Sequence, residues 1–257
     1  MPEFWFLLLL FMFGMCIGSF LNVCIYRIPG SKSIVYPASH CLNCEAPIQW
    51  YDNIPVLSYI LLKGRCRHCD TRISLRYPLV EGMMGVLAVL FYLKFGWSPE
   101  ALIYFVFTSI LVVISLIDID HMIIPDIISL PAIPICLLAA LILPHMSFTD
   151  SIIGLLVGGG SLYLVAEIYY LVKKQEGMGG GDIKLLAMIG ALTGWQGVLF
   201  TIFIGSAIGT LAGIVIMVSL RAETIRLRIP FGPFLSLGAV LYVFCGPELI
   251  RWYLFSL

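Results

Sequence analysis

A series of long apolar stretches constrains this chain more than any other feature. They cover residues 4–26, 79–95, 101–117, 127–143, 151–172, 183–195, 198–220 and 231–254. Most approach the ~20 residues a helix needs to cross the hydrocarbon of a bilayer. Only 12% of residues are charged while 60% are hydrophobic, against roughly 25% charged in a soluble domain. Lipid must therefore be part of the solvent. The expected fold is an all-α polytopic membrane protein with about eight transmembrane helices. The segment 183–195 is short for a full crossing, so a tilted or partly re-entrant helix is expected there. A formal net charge of zero gives no sign of a nucleic-acid partner; membrane lipid is the expected surrounding.

Local signals agree with this layout. Ser98-Pro99-Glu100 reads as a helix N-cap, a first-turn proline and a first-turn acid. Asp150 is expected to cap the fifth stretch, and Pro131 and Pro134 to bend the fourth. The first stretch has no basic segment ahead of it and no cleavage-site pattern, so it reads as a retained helix. Basic residues fix the orientation. Of 15 lysines and arginines, all but Lys94 and Arg251 fall in or beside three connections. The first holds Arg27, Lys32, Lys63, Arg65, Arg67, Arg72 and Arg76; the second Lys173, Lys174 and Lys184; the third Arg221, Arg226 and Arg228. With eight spans these share one face, which the positive-inside rule makes cytoplasmic. The expected division is a first helix over 1–26, a cytoplasmic cysteine-rich domain over 27–78, and a membrane domain over 79–257.

The cysteine-rich loop carries Cys41-Leu-Asn-Cys44 and Cys66-Arg-His-Cys69. Each CxxC pair can present two thiolates, and four thiolates complete a tetrahedral Zn²⁺ site. A reducing compartment disfavours disulfides, and a loop of this size gains from a metal because it builds little core of its own. Four sulfurs leave no open position for water, so the zinc would be structural. The alternative is a pair of unmetallated thiol turns. His40 and His68 adjoin the pairs and read as surface or supporting groups. Cys16, Cys24, Cys136 and Cys245 stand singly in apolar stretches, where packing is the default.

Acids near lipid are costly and need a reason. Asp118 and Asp120 end the third stretch, and Asp126 opens the fourth. Gly179-Gly180-Gly181-Asp182-Ile183-Lys184 opens the sixth. The topology puts Asp118 and Asp182 at one membrane face. Two carboxylates in a partly dry site can divide the work of peptide hydrolysis. One takes a proton from water and the other donates to the carbonyl oxygen. Spacing alone leaves the other reading open, with Asp118 and Asp120 as solvated loop acids, the glycines as a linker and Asp182 as an N-cap.

The boxes taken together resemble the bacterial type IV prepilin peptidase family. They are Gly18-Ser-Phe-Leu-Asn-Val-Cys-Ile-Tyr-Arg-Ile-Pro29, the two CxxC pairs, Arg76-Tyr-Pro-Leu-Val-Glu81, Asp118-Ile-Asp-His-Met-Ile-Ile-Pro-Asp126, the Gly-x-Gly-Asp box ending at Asp182, and Ile229-Pro-Phe-Gly-Pro233. The resemblance implies a GxGD-type aspartyl protease with Asp118 and Asp182 as the catalytic pair. Gly179, Gly181, Asp120, Asp126 and Lys184 would support the site, with Asp120 the nearest competitor of Asp118. The implied substrates are type IV prepilins and pseudopilins, cut behind a basic leader at the cytoplasmic face of the inner membrane. The tetracysteine loop implies the branch that also N-methylates the new terminus with S-adenosylmethionine. No residue is assigned to that methyl donor; Glu81 reads either as lining its pocket or as a structural hydrogen-bond partner. Asp120, Asp126 and Glu176 are expected to attract the basic leader. A monofunctional leader peptidase and a proton-coupled transporter are the alternatives.

Overall fold

In a bilayer every backbone N–H and C=O must be satisfied within the chain, and helices do so segment by segment. A computed structural model of the chain describes residues 2–175, 179–220 and 229–255. These form α1 (Pro2–Arg27), a 3₁₀ turn (Trp50–Asn53), α2 (Leu57–Leu61), α3 (Arg76–Phe95), α4 (Pro99–His121), α5 (Asp126–Ala140), α6 (Phe148–Lys173), α7 (Gly180–Leu220) and α8 (Gly232–Phe255). Among the described residues, extended pairing is limited to two isolated bridges, His40 with Pro47 and Arg65 with Arg72.

The membrane class holds, and the count of eight crossings is not confirmed among the described residues. Six helices are long and apolar enough to cross: α1, α3, α4, α6, α7 and α8. The fourth expected stretch is a helix of only 15 residues, and both Pro131 and Pro134 lie inside it. The sixth and seventh merge into α7, which is interrupted at Gly194, where φ is 71° and ψ 179°. That positive φ suits glycine, so the 41-residue element is two helices meeting at a corner. Ser98 caps α4 as expected, accepting from the Ala101 N–H at 3.2 Å. The cap of α6 differs. Ser147, not Asp150, accepts the first free amide, and its hydroxyl donates back to the Asp150 carboxylate at 2.5 Å. A serine three places ahead of an acid is a reciprocal capping arrangement.

The chain divides into two compact units, Met1–Ser109 and Ile110–Leu257. In the first, α1 packs along α3. A Cβ on Gly18 would lie 2.7 Å from the Glu81 Cα, so the two backbones meet through small residues, as transmembrane pairs commonly do. The Asn22 side chain donates to the Tyr77 carbonyl at 3.1 Å. Arg27, 7% exposed, donates to the carbonyls of Ser33 and Pro37 and folds the start of the cysteine-rich loop back onto the helix end.

In the second unit α7 is the hub and packs on α5, α6 and α8. Its first half is buried on nearly every side, through Leu185, Leu186, Met188, Ile189 and Leu192. Gly154 and Gly190 meet backbone to backbone, and the Ser151 hydroxyl donates to the Ala191 carbonyl. Large apolar side chains such as Phe203 and Val172 point outward, while Ser129, Ser151, Thr201 and Ser236 are buried between helices. Lipid replaces water outside, so packing and hydrogen bonds hold the bundle rather than burial of oil. The basic residues Arg221, Arg226 and Arg228, and Glu176, lie outside the described residues.

Candidate active site

Asp118 sits in the last turn of α4, 5% exposed. Beyond it the chain turns through Met122, whose φ is +55° and whose N–H donates to the Asp118 carbonyl at 2.8 Å. Ile124 and Pro125 then lead into α5. Asp182 lies in the first turn of α7, its N–H donating to the Gly179 carbonyl at 3.2 Å. It is therefore not the cap of that helix. The two carboxylates lie within electrostatic range of one another.

What brings them together is a meeting of helix ends around Ile124. Gly181, just ahead of Asp182, faces that side chain so closely that an added Cβ would lie 2.8 Å from the Ile124 Cβ. Gly232, the first residue of α8, approaches Ile124 and Asp118 together; its added Cβ would lie 3.4 Å from Ile124 Cδ1 and 2.7 Å from Asp118 Oδ2. The Gly232 N–H donates to Asp118 Oδ2 at 3.0 Å. An amide at a helix start is otherwise without an intrahelical acceptor, so this carboxylate caps α8 from another helix. Lys184 pairs with Asp126 at 2.6 Å and joins the starts of α7 and α5.

Sequence reasoning grouped Asp118, Asp182, Gly181, Asp126 and Lys184, and the structure brings these into one neighbourhood. Gly179 and Gly180 meet nothing within 4 Å of an added Cβ, so of the glycine run only Gly181 is sterically required. Asp120 is exposed, unlike Asp118. The Gly232 amide and the Ile124 wedge were not anticipated. The available signal was Gly232-Pro233, since a proline in the first turn of a helix marks the start at which free amides point outward. Beside this site a cleft of about 280 Å³ is lined by Thr210, Ile229, Phe231, Phe234 and their neighbours. That is at the lower edge of the roughly 300–1,000 Å³ of small-molecule sites, enough for one or two side chains.

The cysteine cluster lies in the other compact unit. The four sulfurs are all within 4.8 Å of one another, with Cys41 to Cys69 at 3.7 Å and Cys44 to Cys66 at 4.0 Å. A tetrahedron of ~2.3 Å Zn–S bonds has sulfurs roughly 3.8 Å apart, so the group fits zinc. The two knuckles are alike. The Cys41 N–H donates to Ala46 and the Cys66 N–H to Thr71, both at 2.9 Å, with Glu45 and Asp70 at positive φ in matching places. Hydrogen bonding with Thr71 pulls the Cys69 thiol down to about 6. For Cys44 the Ala46 amide pulls the same way, but desolvation and the other three sulfurs prevail and push it up to about 11. The cluster thus gives up a first proton readily and resists accumulating charge, which a dication relieves. Arg67 clamps Asp52 with two hydrogen bonds at 2.6 and 2.8 Å, and this holds the Asp52 carboxyl below the usual range.

Residues 12–95 match the Bacterial Peptidase A24 N-terminal domain, and residues 105–214 match the Type IV leader peptidase family. The chain is 35% identical to a prepilin leader peptidase/N-methyltransferase of Pseudomonas putida, over 97% of this chain and 94% of that protein. This chain belongs to the type IV leader peptidase family. Proteins of the same description from Pseudomonas aeruginosa and Neisseria gonorrhoeae are 35% and 34% identical, over 97% and 88% of this chain and 93% and 85% of theirs. No solved structure matches. The first match covers the cysteine knuckles and the second covers both aspartates.

Proposed function

We propose that this protein cleaves the leader from type IV prepilins and pseudopilins with Asp118 and Asp182, then methylates the new N-terminus using S-adenosylmethionine. The relatives' shared description supports both activities. The observation that carries the catalytic assignment is the Ile124 junction, where a buried aspartate held by the Gly232 amide neighbours a second one. One carboxylate removes a proton from water, whose oxygen attacks the scissile carbonyl carbon. The other donates a proton to the carbonyl oxygen, and the amine leaves protonated as the C–N bond breaks.

The proposed division keeps 27–78 as a zinc domain and 79–257 as the membrane protease domain, with 1–26 as a first helix. Zinc bound by Cys41, Cys44, Cys66 and Cys69 would hold the two knuckles together as a structural ion. Both the knuckles and the aspartates would face the cytoplasm at the inner membrane, by the distribution of basic residues. A prepilin with a basic leader and an apolar helix would present its cut site at that boundary. Asp120, Asp126 and Glu176 would attract the basic leader, with Asp126 shared between that role and its pair with Lys184.

Purified enzyme in lipid nanodiscs, given a synthetic prepilin with and without S-adenosylmethionine, tests this by mass spectrometry. The expected products are a trimmed mass, and a trimmed mass carrying one methyl group. Cleavage surviving in both Asp118→Asn and Asp182→Asn would sink the catalytic assignment.

A further inference from the structure

The cysteine-rich loop contains a short helix whose position the catalytic reading leaves unexplained. The Val56 N–H, at the entrance to α2, donates to Glu81 Oε2 at 2.7 Å. Val56 has φ +61° and ψ −46°, a conformation that β-branched residues avoid. The Glu81 carboxylate is itself buried, and Ser19 of α1 hydrogen-bonds it as well. This is a specific tether, and its depth is measurable. Glu81 lies five residues past Arg76, the first residue of α3, which is roughly 7.5 Å along the helix axis at 1.5 Å per residue. This contact holds the entrance of α2 beside the first turns of a membrane-crossing helix.

One face of α2 turns inward. The Tyr59 hydroxyl donates to the Ile73 carbonyl at 3.4 Å and packs on Gly64. The other face carries Leu57, Ile60 and Leu61, which helical spacing sets together. Ile60 is 63% and Leu61 70% exposed, and Trp50, on the 3₁₀ turn packed against α2, is 80% exposed. Directly after α2 come Lys63 and Arg65, and the bridge of Arg65 with Arg72 sets two guanidinium-bearing residues side by side. Like charges opposite one another repel, and an anionic surface removes that cost.

We propose that α2 and Trp50 form an interfacial anchor seated at the headgroup–acyl boundary of the bilayer that α3 crosses, on an anionic phospholipid leaflet. Amphipathic segments of this kind bury their apolar face about 5–10 Å into that boundary, and the Glu81 tether holds the entrance of α2 at the end of α3 that meets it. Tryptophan is favoured at the same level, and basic residues beside it draw anionic headgroups. The anchor fixes the height of the cysteine knuckles over the membrane and is independent of the protease assignment.

Fluorescence tests this in the full chain. In a variant with Trp5, Trp97, Trp195 and Trp252 changed to Phe, Trp50 is the one remaining tryptophan and is excited selectively over tyrosine. In nanodiscs it should be quenched several-fold by lipids brominated high on the acyl chain, less by lipids brominated near the chain end, and only weakly by aqueous acrylamide. Full quenching by acrylamide with no response to bromine would overturn the proposal and leave this face to a protein partner. Hydrogen exchange on the unsubstituted protein gives a second reading that needs no variant. Amides of 57–61 should exchange several-fold more slowly in anionic than in zwitterionic nanodiscs, and equal rates would refute the anionic leaflet as the partner.

Discussion

Gly232→Ala isolates the contact on which the active-site geometry turns. The added methyl would stand 2.7 Å from Asp118 Oδ2, whereas ordinary contact begins near 3.4 Å. The carboxylate must withdraw by roughly 0.7 Å, because the start of α8 is backbone and yields less readily than a side chain. The 3.0 Å hydrogen bond from the Gly232 amide then stretches past useful length. A hydrogen bond to a charged group is worth about 1.5–3 kcal/mol, and a misplacement approaching 1 Å at a reacting group costs about 10²-fold. The expected loss in kcat/KM for leader cleavage is thus about 10²-fold. Gly180→Ala is the matched control. It adds the same methyl two residues from Asp182 into space where nothing lies within 4 Å, and should leave cleavage within about twofold. Both variants would be assayed on a synthetic prepilin in nanodiscs, with thermal melting to confirm folding. A well-folded Gly232→Ala enzyme with wild-type activity would refute the steric argument. If Gly180→Ala were as damaged as Gly232→Ala, flexibility of the glycine run would be the requirement instead.

Gly154→Val should destabilise the bundle strongly, because an added Cβ would collide with the Gly190 carbonyl; the midpoint of unfolding in denaturing detergent would report it. Removing zinc with a chelator, or changing Cys41 and Cys44 to Ser, should expose the loop to proteolysis between the knuckles while α3–α8 stay resistant, read by limited digestion and metal analysis. Metal release should become easier as pH falls, since protons compete for the sulfurs, and a chelator titration at two pH values checks that sign. Lys184→Ala should cost no more than about 1 kcal/mol of stability, because its pair with Asp126 is well exposed to screening. A larger loss would mean that the pair positions α7 directly, and charge reversal at both positions should then restore it.

The helices were legible because a bilayer allows a short apolar chain few alternatives, and the Cys41, Cys44, Cys66 and Cys69 group because metal geometry constrains spacing so tightly. The neighbourhood of Asp118 and Asp182 followed from topology and from the recognised boxes. Less was readable where backbone makes the contact. The residues at 229–233 mark a helix start with free amides, but nothing in them says that Asp118 would be the acceptor. Ile124 looks like any apolar residue until two glycines are seen to close on it. The separate stretches 183–195 and 198–220 already place a boundary beside Gly194, although hydropathy carries no record of the positive φ that makes it a corner. Glu81 remained ambiguous for the opposite reason. Its acid was conspicuous, but its partner is the main chain of Val56, which no side-chain pattern reports.

The corner at Gly194 also decides how the active site is able to move. A straight rod the length of α7 would transmit any tilt to both of its ends. With the corner, the segment bearing Asp182 would swing independently of the one seated against α8 unless a neighbour braced both. Asp182 lies twelve residues from the corner, a lever arm of roughly 18 Å, so a rotation of about 10° displaces its carboxylate by about 3 Å. Helix α6 braces the corner, with Gly154 against both Gly190 and Gly194 and Gly158 against both Leu186 and Val198. The separation of the aspartates therefore depends on glycines that lie far from either carboxylate.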